Sequence, residues 1–171
     1  MRKCFLMSSL LLMLLTSASV FADVKIGQKA IDFSLPSLSS PDQTVKMKSY
    51  KQKTVLLNFW ASWCKGCKKE MPFLNKLASD NEGKLTVIAV NIDNKKKKAN
   101  DYIDKFIAKM GGTSKIKFVY NKDKSLPKAY ELDAVPCSLL IKNGKIIKYY
   151  LGSFDEDNEK VLLNDVKKAL K

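Results

Sequence analysis

Two apolar runs of strand length constrain this chain more than any other feature: TVLLNFW at residues 54–60 and LTVIAVNI at residues 85–92. Neither alternates polar with apolar, so each reads as a strand buried on both faces, the habit of a sheet covered by helices. Between them Met71, Leu74 and Leu77 recur at helical spacing. After the second run Ile103, Phe106, Ile107 and Met110 do the same, until Gly111-Gly112 ends the pattern. A short third strand fits Ile116–Tyr120, and Ser138–Lys142 and Lys145–Tyr150 flank Asn143-Gly144, a strong two-residue hairpin signal. Val161, Leu162, Asp165, Val166, Ala169 and Leu170 close the chain as an amphipathic helix. Ahead of all this, Ile31–Leu35 and Thr44–Met47 read as two short strands around the turn Ser40-Pro41-Asp42-Gln43. The order predicts one α/β domain: a central mixed β-sheet with helices on both faces and an N-terminal β-hairpin extension.

The first buried strand runs into NFWASWCKGCKKEMP, residues 58–72. Two cysteines spaced two apart can form a metal half-site, a structural disulfide or a catalytic dithiol. A loop this small restricts the unfolded chain very little, so stability is a poor reason for the pair. The spacing puts Cys64 at the start of a helix, where free N–H groups and the dipole favour an anion, and Lys65 adds positive charge. The thiolate is the reactive form, so this placement activates Cys64. Cys67, one turn on, is close enough to attack a mixed disulfide formed at Cys64, and Gly66 keeps the connection tight. The arrangement fits reversible dithiol–disulfide exchange.

The ends and the charge narrow the setting. MRKCFLMSSLLLMLLTSASVFAD has a basic start, an apolar run and small residues before Asp23, so residues 1–22 read as a signal peptide cleaved after Ala22 and 23–171 as the single domain. The run is short for a membrane span, which needs about 20 residues; retention as an anchor is the alternative. Cys4 would leave with the signal, so the mature chain keeps three cysteines, Cys64, Cys67 and Cys137, in a compartment that permits disulfides. The formal charge is +14, or +12 once Arg2 and Lys3 leave, and the mature chain has no arginine. Bidentate phosphate binding favours arginine, so the lysines read as a solvated surface rather than a nucleic-acid site, with Lys95–Lys98 on a loop and helix start. Histidine is absent altogether, which excludes cysteine–histidine and serine–histidine catalysis and imidazole metal sites. No cofactor is expected.

Trp63, Cys64, Cys67, Glu70 and Pro72 meet the pattern W-C-x-x-C-x-x-E-x-P, and YELDAVPCSLLIKNGKI follows about 70 residues later. The chain resembles the thioredoxin superfamily, and within it the exported TlpA/ResA-like thiol–disulfide oxidoreductases, over roughly residues 26–169. The resemblance implies a thioredoxin-like fold. It makes Cys64 the attacking thiol and Cys67 the resolving one. It also makes Val135-Pro136 a cis pair, with Val135 offering backbone to substrate beside Trp63. Glu70, three residues beyond Cys67, matches that group's acid and would accept or relay the resolving thiol's proton. Trp60 and Trp63 read chiefly as packing and shielding residues. Two positions depart from thioredoxin itself: Asn58 stands where a buried aspartate is usual, and Cys137 where threonine or serine usually follows the proline. Cys137 is expected beside the pair, as a filler, a modulator or a third thiolate for Cu(I).

The favoured function is an exported, periplasmic or otherwise extracytoplasmic thiol–disulfide oxidoreductase, a reductant of the cytochrome c maturation or disulfide-repair type. Its partners would be a disulfide-containing client and a membrane thiol reductant, and the protein would be monomeric. A disulfide-inserting oxidant and a thiolate metal-handling module are the alternatives. A peroxiredoxin-like activity would need threonine at Ala61.

Overall fold

The computed structural model describes residues 24–40 and 42–171. The signal-peptide expectation for residues 1–22, Cys4 and the turn residue Pro41 lie outside them. The elements, in order, are β1 (Ser34–Pro36), β2 (Thr44–Lys46), a 3₁₀ turn (Met47–Tyr50), β3 (Thr54–Trp60), α1 (Lys65–Asp80), β4 (Leu85–Asn91) and α2 (Lys96–Lys109). They continue with β5 (Lys117–Tyr120), α3 (Ser125–Ala129), β6 (Cys137–Lys142), β7 (Lys145–Leu151) and α4 (Glu156–Ala169). The five-stranded sheet has the order β5-β4-β3-β6-β7. β3, β4 and β5 are parallel, while β6 and β7 run against their neighbours.

The two apolar runs are its central strands. Every residue of β3 is buried, and its side chains divide by parity: Leu56 and Trp60 enter one core, Val55, Leu57 and Phe59 the other. The three long helices α1, α2 and α4 all supply the first core, through Met71, Leu74, Ile103, Phe106, Leu162 and Val166. The crossovers β3–α1–β4 and β4–α2–β5 step the same way across the sheet, and right-handed connections stepping one way share a face. The opposite face is covered by the short α3, the 3₁₀ turn and the N-terminal segment, through Leu126, Met47, Ile31, Phe33 and Leu35. Helices therefore flank both faces, unequally.

α1 runs through Pro72. Proline removes the amide that would bond the carbonyl of Lys68, and the Tyr102 hydroxyl donates to that oxygen instead, at 3.4 Å. The β6–β7 turn has Asn143 at φ 51° and Gly144 at φ 70°, the two left-handed residues that a tight hairpin requires. In α4, Val161 is 52% exposed rather than part of the core, lying off the Leu162, Val166, Ala169 stripe. Buried Asp165 on that stripe accepts from the Tyr150 hydroxyl at 2.9 Å.

The N-terminal hairpin is shorter than expected. Its ladder holds only Ser34↔Lys46, Leu35↔Val45 and Pro36↔Thr44. The amide of Ile31 is already spent on the Tyr130 hydroxyl at 2.8 Å, and Met47 is buried at the start of the 3₁₀ turn. The segment nevertheless reaches both sheet edges. Gly27 N donates to Ile146 O and Ala30 N to Gly144 O at the β7 edge, while Leu38 N donates to Phe118 O at the β5 edge.

Candidate functional site

Cys64 and Cys67 sit where β3 hands over to α1 and are joined by a disulfide. Cys64 is the N-cap of α1 in extended conformation, and its Sγ accepts from the Cys67 amide at 3.1 Å. The first turn carries no acidic residue and exposes Lys65, Lys68 and Lys69. Charge and dipole there both stabilise a negative sulfur. Cys67 is fully buried and Cys64 7% exposed, so an incoming group meets Cys64 first. Trp63, immediately before it, is 65% exposed. Trp60 is buried, packing on Tyr102 and Phe118 at 5.3 and 5.9 Å.

The Val135-Pro136 bond is cis. The carbonyl oxygen of Val135 lies 3.6 Å from Cys64 Sγ, whereas that of Pro136 accepts from Gly152 N at 3.0 Å. The loop Gly152–Phe154 closes the other side. A Cβ on Gly66 would stand 3.2 Å from Ser153 Cβ and 3.6 Å from Pro136 Cδ, so the residue between the cysteines is held small by its neighbours.

One turn beyond Cys67, Glu70 is 1% exposed. Its Oε1 accepts from Asn58 Nδ2 at 2.8 Å and its Oε2 from Phe154 N at 3.0 Å. Desolvation dominates these two bonds and pushes its carboxyl up to about 7. Asn58 Nδ2 also donates to Ser138 Oγ at 3.0 Å, while Asn58 Oδ1 is buried without a partner among the described residues. A carboxyl titrating near neutrality one turn from buried Cys67 can take and return one proton in the physiological range when the pair is reduced.

The Cys137 side chain faces the core opposite the pair. On β6, Ser138 faces Asn58 and α1, so Cys137, Leu139 and Ile141 point to the opposite core. There it is 1% exposed, and burial, then the Glu70 charge, push its thiol up to about 12. No group of three histidine, cysteine or acidic side chains among the described residues is arranged to hold a metal. Parity therefore turns the third sulfur to the face opposite the pair, not the side expected.

The composition gave no sign of Asp93. It is buried at the end of β4 and accepts from Ser62 N and Ser62 Oγ, both at 3.0 Å, and from Asn91 Nδ2 at 2.9 Å. It thereby clasps the loop that leads into Cys64. Phe154 and Ser153, more than 80 residues away in sequence, likewise join the site only through the fold.

A family model described as Redoxin matches residues 25–167. The thiol–disulfide oxidoreductase ResA of Oceanobacillus iheyensis is 30% identical over 179 residues, covering 96% of this chain and 90% of that one. ResA of Geobacillus thermodenitrificans is 33% identical over 147 residues, covering 84% and 79%. A Chlorobium tepidum structure, described as a thiol:disulfide interchange protein DsbE, superposes with a TM-score of 0.76 at 28% identity, covering 87% of this chain and all of that one.

Proposed function

The chain belongs to the Redoxin family, as a TlpA/ResA-like thiol–disulfide oxidoreductase of the thioredoxin superfamily, and from that premise we propose that it acts outside the cytoplasm as a reductant of protein disulfides. The observation that carries the reading is Cys64 capping α1 above a buried Glu70. In the reduced protein the Cys64 thiolate attacks one sulfur of a client disulfide and expels the other as a thiolate. Cys67 passes its proton to Glu70 and attacks Cys64 Sγ. The client's second sulfur leaves as a thiolate, and the Cys64–Cys67 disulfide forms. Two electrons reach the client, and the two leaving thiolates take up protons, one of them through Glu70. Val135 supplies backbone, Pro136 shapes the groove and Trp63 supplies exposed apolar surface for the client.

A membrane thiol reductant returns the pair to the dithiol, and residues 1–22 serve as the export signal. The clients belong to cytochrome c maturation or disulfide repair. Ala61 is buried and brings no hydroxyl to the position where a peroxiredoxin-type site needs threonine, which supports exchange over peroxide reduction. The reduction potential of the Cys64–Cys67 pair tests the direction. A value near about −270 mV fits a reductant, whereas one near about −120 mV would make the protein a disulfide-inserting oxidant.

A further inference from the structure

We propose that the end of the domain opposite the cysteine pair is a docking surface for anionic phospholipid headgroups. The sheet gathers lysines there. Lys53 precedes β3, Lys84 precedes β4, Lys142 ends β6 and Lys145 opens β7; the register puts Thr54 beside both Leu85 and Lys142, and Lys142 beside Lys145. Lys29 bridges to Lys145. α4 starts near the site at Phe154 and runs back, so Lys167 arrives next to Lys84, around Leu163. None of these six lysines is in an ion pair among the described residues. Of the carboxylates at this end, Asp32, Asp80 and Glu82 are each paired with another lysine, Lys51, Lys76 and Lys115. Asp42 lies next to Gln43, which lines the β5 side with Glu82. At the opposite end α4 opens on Asp155, Glu156, Asp157 and Glu159. The acidic start of α4 and the lysines at these strand ends thus lie at opposite ends of the domain.

Two observations choose lipid over another polyanion. The described chain has no arginine, the residue suited to bidentate phosphate contacts in nucleic acid, whereas lysine serves a diffuse headgroup field. Leu163, 45% exposed, sits with Lys84 and Lys167, an arrangement that matches the boundary between headgroups and acyl chains. A bilayer here meets the lysines, with Cys64 turned away from it.

The test is co-sedimentation of the full chain with vesicles of phosphatidylcholine alone and of phosphatidylcholine with phosphatidylglycerol. One variant set carries Lys84→Gln, Lys142→Gln, Lys145→Gln and Lys167→Gln. A control set carries Lys95→Gln, Lys98→Gln, Lys122→Gln and Lys128→Gln, with circular dichroism checking the fold of both. Each lysine near an anionic surface is worth about fivefold in association at low ionic strength. The first set should therefore reduce binding to the anionic vesicles more than about tenfold, and the control set less than about threefold. Raising the salt should release the wild-type protein. Equal losses in the two sets, equal binding to both vesicle types, no binding, or tighter binding to duplex DNA than to the anionic vesicles would each overturn the proposal.

Discussion

Glu70→Gln should flatten the pH dependence of stability of the oxidised protein. The native carboxyl holds its proton up to about pH 7, whereas in the unfolded chain it is released near 4.5. Across that window the native state binds more protons, so stability falls as pH rises. The contribution is present in full below the unfolded value and is lost as pH passes through the native one. At about 1.4 kcal/mol per pH unit, the loss attributable to Glu70 approaches roughly 3 kcal/mol by pH 8. Glutamine removes this titration and adds an offset independent of pH. The offset is reduced if the Asn58 amide turns, because its unpartnered Oδ1 can then accept from the new Nε2. Other titrating groups are common to both proteins and cancel in the difference. Urea unfolding at half-unit steps from pH 4 to 8, with the disulfide intact, measures that difference. A wild-type curve parallel to that of the variant within about 0.5 kcal/mol would show that Glu70 is not held protonated by burial, and the proton-transfer role built on it would fall.

Cys64→Ser should lower exchange with a model disulfide at least about a thousandfold by removing the exposed nucleophile. Cys67→Ser should instead accumulate a covalent adduct through Cys64, visible by mass spectrometry and released by reductant; an adduct on Cys137 would contradict the assignment. Gly66→Ala gains about 1 kcal/mol of helix propensity but meets Ser153 at 3.2 Å, so its net effect on thermal stability should be near zero. In a Ser153→Gly background the gain should reappear, and a double-mutant cycle without coupling would rule out that contact. Asp93→Ala leaves the Ser62 amide and hydroxyl without their carboxylate and should destabilise by at least about 2 kcal/mol in urea unfolding, with Asp93→Asn milder.

The reach of the sequence varied with how local each cause was. The two central strands and the hairpin were legible because unbroken apolar runs and Asn143-Gly144 have few alternative conformations. α1 was legible as well, since the periodicity of Met71, Leu74 and Leu77 is strong enough to outlast Pro72. α3 was not foreseen: it is five residues long and follows Lys124 at φ 54°, with no apolar period of its own. The reactive pair could be recognised because its placement at a helix start is local. The surroundings that set its chemistry are not local: Phe154 N reaches Glu70 across 84 residues and Asp93 reaches Ser62 across 31. Cys137 shows a different limit. Adjacency to Pro136 suggested the pair's side of the sheet, but strand parity decides the face. Only the pairing of Asn58 with Ser138 reveals that parity.

The segment from Gly27 to Leu38 hydrogen-bonds to both edge strands of the sheet, β7 near its start and β5 at Phe118 and Val119, with a single thread. An open edge is a template for another chain, so losing this thread, by proteolysis or by late folding, would expose two sticky margins at once instead of one. A molecule with two such margins can join neighbours on either side and propagate as a chain of copies, whereas one margin stops at a pair. Residues 27–38 thus serve as the cap against self-association, and a form of this domain trimmed past them should be a polymeriser before it is an inactive enzyme.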